Sequence, residues 1–104
     1  RLSLREAEER AERERIEKEK QRQEWLVQLN QKRLQNLRNS GELLREAEDI
    51  RAFVERVRRA IGEGSADIDP SVVEAWQLWA LAEADRIDPV RSGQILTHLN
   101  EPSL

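Results

Sequence analysis

The sequence predicts an all-α protein in which a long, charged N-terminal helix leads into a small antiparallel three-helix bundle. The first 24 residues are rich in helix-forming residues of both charges, and the middle of the chain carries an apolar stripe at helical spacing. No Gly or Pro occurs before Gly41. Hydrophobic residues make up 38% of the 104 residues, which is enough to build a core and argues against disorder of the whole chain.

Composition excludes several classes of protein. The chain has no Cys, so we expect neither a disulfide framework nor a thiolate metal site. Its longest apolar run, Ala80-Leu81-Ala82, is too short to cross a membrane, and the charged residues of Arg1–Glu6 do not fit a signal peptide. We expect a cytoplasmic protein with one small domain and an extension. Because the chain starts with Arg1 and contains no Met, we expect it to be a fragment of a longer protein.

Residues 1–24 form the first predicted unit, a charged projecting helix or coiled-coil segment. Sixteen of these 24 residues are charged, eight of each sign, and eight oppositely charged pairs stand four residues apart against three like-charged pairs. Each favourable pair stabilises a helix by only about 0.2–0.5 kcal/mol, but together they can sustain a solvated one. Leu4, Ala11, Lys18 and Trp25 lie on one heptad track that makes a sparse seam. A disordered charged tail is the alternative.

The second predicted unit, residues 25–93, is the helical bundle, and it begins where apolar residues appear on the first helix. The helix is expected to continue to about Arg38 and to offer a surface for association. The candidate interface residues are Trp25, Leu29, Leu34 and Leu37.

A turn at Asn39-Ser40-Gly41-Glu42 is expected to end the first helix and start the second. Asn39 fits the N-cap, and Glu42 fits its partner in a capping box. The second helix carries apolar residues at spacings of 4, 3, 4, 3 and 4, and we expect Ile50 and Val54 in that stripe to be fully buried. The stripe consists of Leu43, Ala47, Ile50, Val54, Val57 and Ile61. Gly62 is expected to end the helix in a left-handed conformation.

Asp69-Pro70 predicts the start of a third helix, because Asp is a good N-cap and Pro suits the first helical position. Residues 72–84 are so apolar that we expect burial on two sides, with Trp76 in the core. Asp88-Pro89 repeats the capping device and predicts another helical turn. Residues 94–104 form a C-terminal tail with one apolar cluster.

No residue pattern predicts catalysis, a cofactor, a metal site or a small-molecule substrate. His98 is the only histidine, and we expect it to be an exposed tail residue. Four serines are candidates for a nucleophile, and none of them has a histidine near it in sequence. These are Ser40, Ser65, Ser71 and Ser92. Gly62-Glu63-Gly64-Ser65 lacks the Lys of a phosphate-binding loop.

Basic residues raise an alternative, a nucleic-acid-associated domain. One group lies near the end of each of the first two predicted helices, and the two groups could join into one patch. The groups are Lys32, Arg33 and Arg38, and Arg51, Arg56, Arg58 and Arg59. Residues 39–104 carry a net charge of −6, which opposes a phosphate-binding field, so we expect no nucleic acid to bind through this chain.

Two segments carry a resemblance to a known group of proteins. Residues 45–54 (REAEDIRAFV) and 75–89 (AWQLWALAEADRIDP) resemble the C-terminal end of a family of uncharacterised bacterial proteins. In that family a charged helix precedes two such segments, and the N-terminal part looks like a helix-turn-helix DNA-binding module. The resemblance implies a helical appendage of a larger bacterial protein of unknown function, and it carries over no functional residue.

The expected function is therefore a non-catalytic structural or protein-interaction module. We expect a homo-oligomer, with a dimer favoured, or a complex with another protein. Residues 1–38 carry a net charge of +3 and residues 39–104 carry −6, so an antiparallel dimer would bring unlike charges together.

Overall fold

The computed structural model describes residues 3–64 and 67–102, and within them it is all-helical, with no strand. Helix α1 covers Leu4–Gly62, α2 covers Pro70–Ile87 and the short α3 covers Ile95–Leu99. The chain divides into two units, one of Arg1–Leu34 with Pro102–Leu104 and one of Gln35–Glu101. The border expected between residues 24 and 25 stays a prediction.

The predicted turn at residues 39–42 is absent, because α1 runs through it without interruption. Asn39 does not act as an N-cap: its side-chain oxygen accepts a hydrogen bond from Gln35 Nε2, one helical turn earlier, at 2.9 Å. Ser40 points inward and is 7% exposed. Gly41 sits inside the helix, at a cost of about 1 kcal/mol relative to Ala that packing can offset. The predicted three-helix bundle is therefore not present in the expected form, because the first two predicted helices are the single helix α1.

A single inward-facing seam explains why α1 does not break. The 3-4 spacing of the predicted stripe continues upstream through polar residues without a change of phase, and every position on it is buried or half-buried. The seam consists of Leu26, Leu29, Arg33, Asn36, Ser40, Leu43, Ala47, Ile50, Val54, Val57 and Ile61. A helix break would rotate one part of this seam away from the other.

The first unit contains the charged part of α1, and the predicted helix is present there. Every side chain from Ser3 to Trp25 is exposed. Ion pairs along the helix surface include Arg5 with Glu9 at 3.2 Å and Arg22 with Glu19 at 3.7 Å. Exposed pairs of this kind contribute little each.

In the second unit, α2 runs antiparallel to the C-terminal part of α1. The order of the contacts shows this, because Arg51 bonds to Asp85 and Asp88 while the later Phe53 meets the earlier Trp76. The rings of Phe53 and Trp76 are edge to face, with centroids 6.0 Å apart and an angle of 82° between their planes.

The core between these helices is thin. Its buried apolar residues are Ala47, Val54, Ala80 and Ala84, at 0–5% exposure. Ile50 was expected to be fully buried and is only half-buried, as are Leu43, Val57, Ile61 and Trp76. Small alanines let two helices approach closely, but a pair of helices covers each seam from one side only. The large side chains along the seam therefore keep contact with solvent.

Helix α2 begins as the sequence predicts. Asp69 is its N-cap, with Oδ1 accepting hydrogen bonds from the backbone N–H and the hydroxyl of Ser71 at 2.9 and 2.8 Å. The expectation that α2 is buried on two sides is wrong. Val72, Leu78 and Trp79 are each at least 60% exposed, because no helix of the described residues covers the outer face.

The predicted left-handed glycine at the end of α1 is displaced by two residues. Gly62 is the last helical residue, and Gly64 takes the positive φ of +75°. Ser65, which follows Gly64, lies outside the described residues.

Gly41→Ala tests the continuity of α1. A Cβ at Gly41 would meet no atom within 4 Å, so alanine should stabilise the helix by about 1 kcal/mol. At Gly64, also open but with φ +75°, alanine should destabilise by about 1–2 kcal/mol. Urea unfolding of both variants gives these values. A Gly41→Ala protein less stable than the parent would mean that residue 41 lies in a turn.

Candidate functional site

An apolar groove lies between α1 and α2 within the second unit. Its volume is about 700 Å³. Ile50, Val54 and Ala80 line its floor, and Phe53 and Trp79 line its sides. Phe53 is 61% exposed and Trp79 is 63% exposed, so the groove is open to solvent. Two large aromatic side chains left uncovered in one place are typical of a protein-binding surface.

The rim of this groove is acidic. The charged residues that line it are Glu42, Arg45, Glu46, Asp49 and Glu83, a net charge of −3. Such a rim favours partners that carry positive charge beside apolar residues, and it disfavours acidic ones.

A charged cluster holds the end of α2 against α1. Arg51 Nη2 donates to Asp85 Oδ1 at 3.0 Å and to Asp88 Oδ2 at 2.8 Å. The other oxygen of Asp88, Oδ1, accepts from the backbone N–H groups of Val90 and Arg91 at 2.8 and 3.2 Å. Asp88 thus caps the turn after Pro89, as predicted, and it also binds Arg51, which sequence spacing did not indicate.

These contacts favour the ionised form of Asp88, which is 4% exposed. The hydrogen bond from Arg51 is the main cause of a lowered pKa of its carboxyl, the two backbone N–H groups act in the same direction, and burial opposes them. The hydrogen bonds from Ser71 likewise lower the pKa of Asp69.

His98 is not the exposed tail residue that the sequence predicts. Its side chain is 14% exposed, and its Nε2 lies 2.6 Å from Ser40 Oγ in a hydrogen bond. Its Nδ1 lies 3.7 Å from Glu101 Oε1, which also accepts from Asn36 Nδ2 at 3.1 Å. His98 and Ser40 are thus in contact although they are 58 residues apart in sequence, because α3 brings His98 back onto α1.

The side chains of Ser40, His98 and Glu101 contact one another in the sequence of a hydrolytic Ser–His–Glu triad. The surroundings of Ser40, however, do not suit a catalytic nucleophile. Ser40 is 7% exposed and lies in the middle of α1. Backbone N–H groups inside a helix already donate to carbonyl groups four residues earlier, so those next to Ser40 cannot stabilise an oxyanion. The geometry fits a polar contact that holds α3 on α1.

The four predicted interface residues do not lie on one face of α1. Leu29 belongs to the inward seam and is half-buried. Leu34 and Leu37, at 40% and 60% exposure, lie on one side of that seam. Trp25 is 56% exposed and lies outside that seam.

The structure does not join the predicted basic residues into one patch. Because α1 is continuous, Arg38 and Arg56 are separated by about 27 Å along the helix axis. Arg51 is bound to two aspartates, and Arg58 lies 3.6 Å from Glu55. Lys32 and Arg59 are exposed, and Arg33 is half-buried.

Within residues 3–64 and 67–102, no three His, Cys, Asp or Glu side chains are grouped so that they could hold a metal ion. No helix in this part of the chain combines the length and apolar character that a bilayer span needs. The chain matches no protein-family model, no curated protein and no solved structure. The resemblance to bacterial proteins noted above stays a prediction.

Asp88→Asn tests the charged cluster. A carboxyl with a lowered folded-state pKa stabilises the fold above the pKa of about 3.9 for an unfolded Asp, and this stabilisation is lost as pH falls through the folded-state value. The variant should melt at a lower temperature than the parent at pH 7, and the difference should shrink below pH 4. Exposed Asp67, changed to Asn, is the control. An equal difference at pH 7 and pH 2 would contradict the role of the ionised group.

Ser40→Ala tests the contact with His98. Loss of the hydroxyl leaves the imidazole without this partner, so we expect a loss of about 1 kcal/mol in urea unfolding and faster amide exchange in α3. Thr97→Ala, which removes an exposed hydroxyl next to His98, should change neither. Covalent labelling of Ser40 by a fluorophosphonate would instead show an activated nucleophile.

Proposed function

We propose that this chain is a non-catalytic protein-interaction module that forms a homo-oligomer, with the dimer as the favoured state. The observation that carries the proposal is the open apolar groove, with Phe53 and Trp79 both more than 60% exposed. Covering these rings is a strong source of association free energy, because aromatic residues bury large areas at interfaces.

A protein helix suits this groove better than a small molecule does. Small-molecule sites usually bury most of the ligand surface, whereas this groove is open and its aromatic walls face solvent. A groove between two antiparallel helices matches the way an amphipathic helix binds, with apolar residues at intervals of three and four along its inner face. The acidic rim then selects a helix with basic residues.

The alternative role in nucleic-acid binding receives less support. The basic residues are spread along α1, the groove rim is acidic, and Arg51 is neutralised by two aspartates. Duplex binding that weakens steeply with added salt is the result that would favour this alternative. A place at the C-terminal end of a larger cytoplasmic bacterial protein is part of the proposal and rests on the sequence resemblance alone.

Trp79→Glu tests the proposed function, and Leu78→Glu is its matched control. The two neighbours on α2 are almost equally exposed, at 63% and 65%, but only Trp79 lines the groove. Light scattering at micromolar concentration should give the parent and Leu78→Glu twice the chain mass of 12.2 kDa, and Trp79→Glu should approach 12.2 kDa. An intact chain that stays at 12.2 kDa would refute the dimer.

A further inference from the structure

Within the second unit, the groove side of α1 carries a stripe of exposed side chains whose charge changes sign along the helix. The side chains follow one another at spacings of 4, 3, 4 and 3 residues, so they lie on one helix face. This groove stripe consists of Glu42, Glu46, Asp49, Phe53 and Arg56. The first four also line the groove. The stripe is therefore acidic at one end and basic at the other, with an aromatic ring between them.

Such a stripe is complementary to itself when read in the opposite direction. In an antiparallel pair of α1 helices whose two-fold axis crosses at the level of residue 51, Glu46 of one copy faces Arg56 of the other. The axis repeats this contact, so the pair of helices gains two ion pairs. Unlike charges that face each other across an interface favour this register over others.

The same axis brings the exposed aromatic rings together. Phe53 lies two residues from the level of the axis, so the Phe53 side chains of two copies are only about 6 Å apart along the helix. Trp79 lines the other side of the groove, and both rings are more than 60% exposed. Four rings thus meet near the centre, and the Glu46–Arg56 pairs flank them. An aromatic centre inside a charged rim is the usual anatomy of a specific protein interface.

Apolar surface on α2 extends this contact. Exposed residues at spacings of 3, 4 and 3 form one apolar stripe through Trp79, namely Val72, Ala75, Trp79 and Ala82. The alanines on either side of Trp79 are small, which lets a second helix approach closely. A second copy that covers Trp79 therefore has further apolar surface to bury on the same helix.

Charge argues against the simplest competing dimer, in which the two-fold axis runs along the helices. That axis keeps each residue level with its own copy, so the two groove rims, each of −3, would meet. In the antiparallel pair, the two Glu46 side chains are about 15 Å apart along the helix axis, which exceeds the screening length of about 8 Å at physiological salt.

We propose that two copies associate through antiparallel α1 helices within the second unit, with Phe53 of each copy entering the other copy's groove beside Trp79. The Glu46–Arg56 pairs set the register. This inference rests on the proposed function and names the occupant of the groove, a second copy of the chain. Both grooves are covered in one interface.

A charge exchange tests the register. Glu46→Arg and Arg56→Glu each create two like-charged contacts per dimer, so each should raise the dimer dissociation constant roughly tenfold in sedimentation equilibrium. The double variant restores the unlike pairs and should return close to the parent value. Glu48→Arg and Arg59→Glu make the same charge changes at exposed positions outside the groove stripe and should leave the constant unchanged. Circular dichroism of each variant checks that the helices are intact.

Cysteine cross-linking of mixed chains tests the antiparallel direction, and the chain has no native Cys to interfere. Glu46→Cys chains mixed with Arg56→Cys chains should form a disulfide-linked dimer under mild oxidation. Either variant alone should stay mostly at the chain mass of 12.2 kDa in denaturing electrophoresis. In each case the thiol and its own copy lie about 15 Å apart along the helix axis, beyond the reach of a disulfide. A mixture of Glu48→Cys and Arg59→Cys chains is the control and should also stay mostly monomeric.

The outcomes separate this inference from the proposed function. If the parent dimer is weakened by Trp79→Glu, but the double charge variant shows no rescue and the mixed chains no selective cross-link, the interaction module stands and the register is wrong. A parent chain that is monomeric throughout overturns both and leaves a different protein as the occupant of the groove. Rescue together with the selective cross-link supports the proposed register.

Discussion

The structure depends on the unbroken backbone hydrogen-bond ladder of α1 through Asn39, Ser40 and Gly41. These three residues favour a turn locally, yet the inward seam needs the helix to keep its phase from Leu26 to Ile61. A local preference worth about 1 kcal/mol is weaker than the packing of a seam that stretches over several helical turns. Once α1 is continuous, α2 and α3 have only one helix to pack against.

This arrangement leaves apolar surface uncovered. In the expected bundle, a separate helix would have covered the second side of α2, and the aromatic residues there would have formed a core. Because that helix is instead part of α1, the buried core consists of a single row of residues that includes Ala47, Val54, Ala80 and Ala84. Polar contacts at Arg51 and Ser40 then contribute much of the specificity that orients α2 and α3.

The sequence was sufficient to predict helices, the start of α2 and the apolar part of the seam. Those signals are local: charge spacing, Asp69-Pro70 and a strict 3-4 stripe. The predicted turn at residues 39–42 is wrong, because residues that can cap a helix also occur within helices that do not end there. The missed signal was the phase of the seam, which continues through Arg33, Asn36 and Ser40 although they are polar. The contacts of His98 and Arg51 join residues 58 and 37 positions apart, and no local pattern indicates them.

Residue-resolved amide hydrogen exchange of residues 40–44 tests the continuity of α1 most directly. In an unbroken helix the N–H of Gly41 donates to the carbonyl of Leu37, and the following N–H groups are bonded in the same way. Their protection should therefore approach that of Ile50. If a helix began at Asn39 instead, the N–H groups of the first turn would lack helical partners. Fast exchange at Gly41 and Glu42 beside slow exchange at Ile50 would contradict the continuous helix and the groove that follows from it.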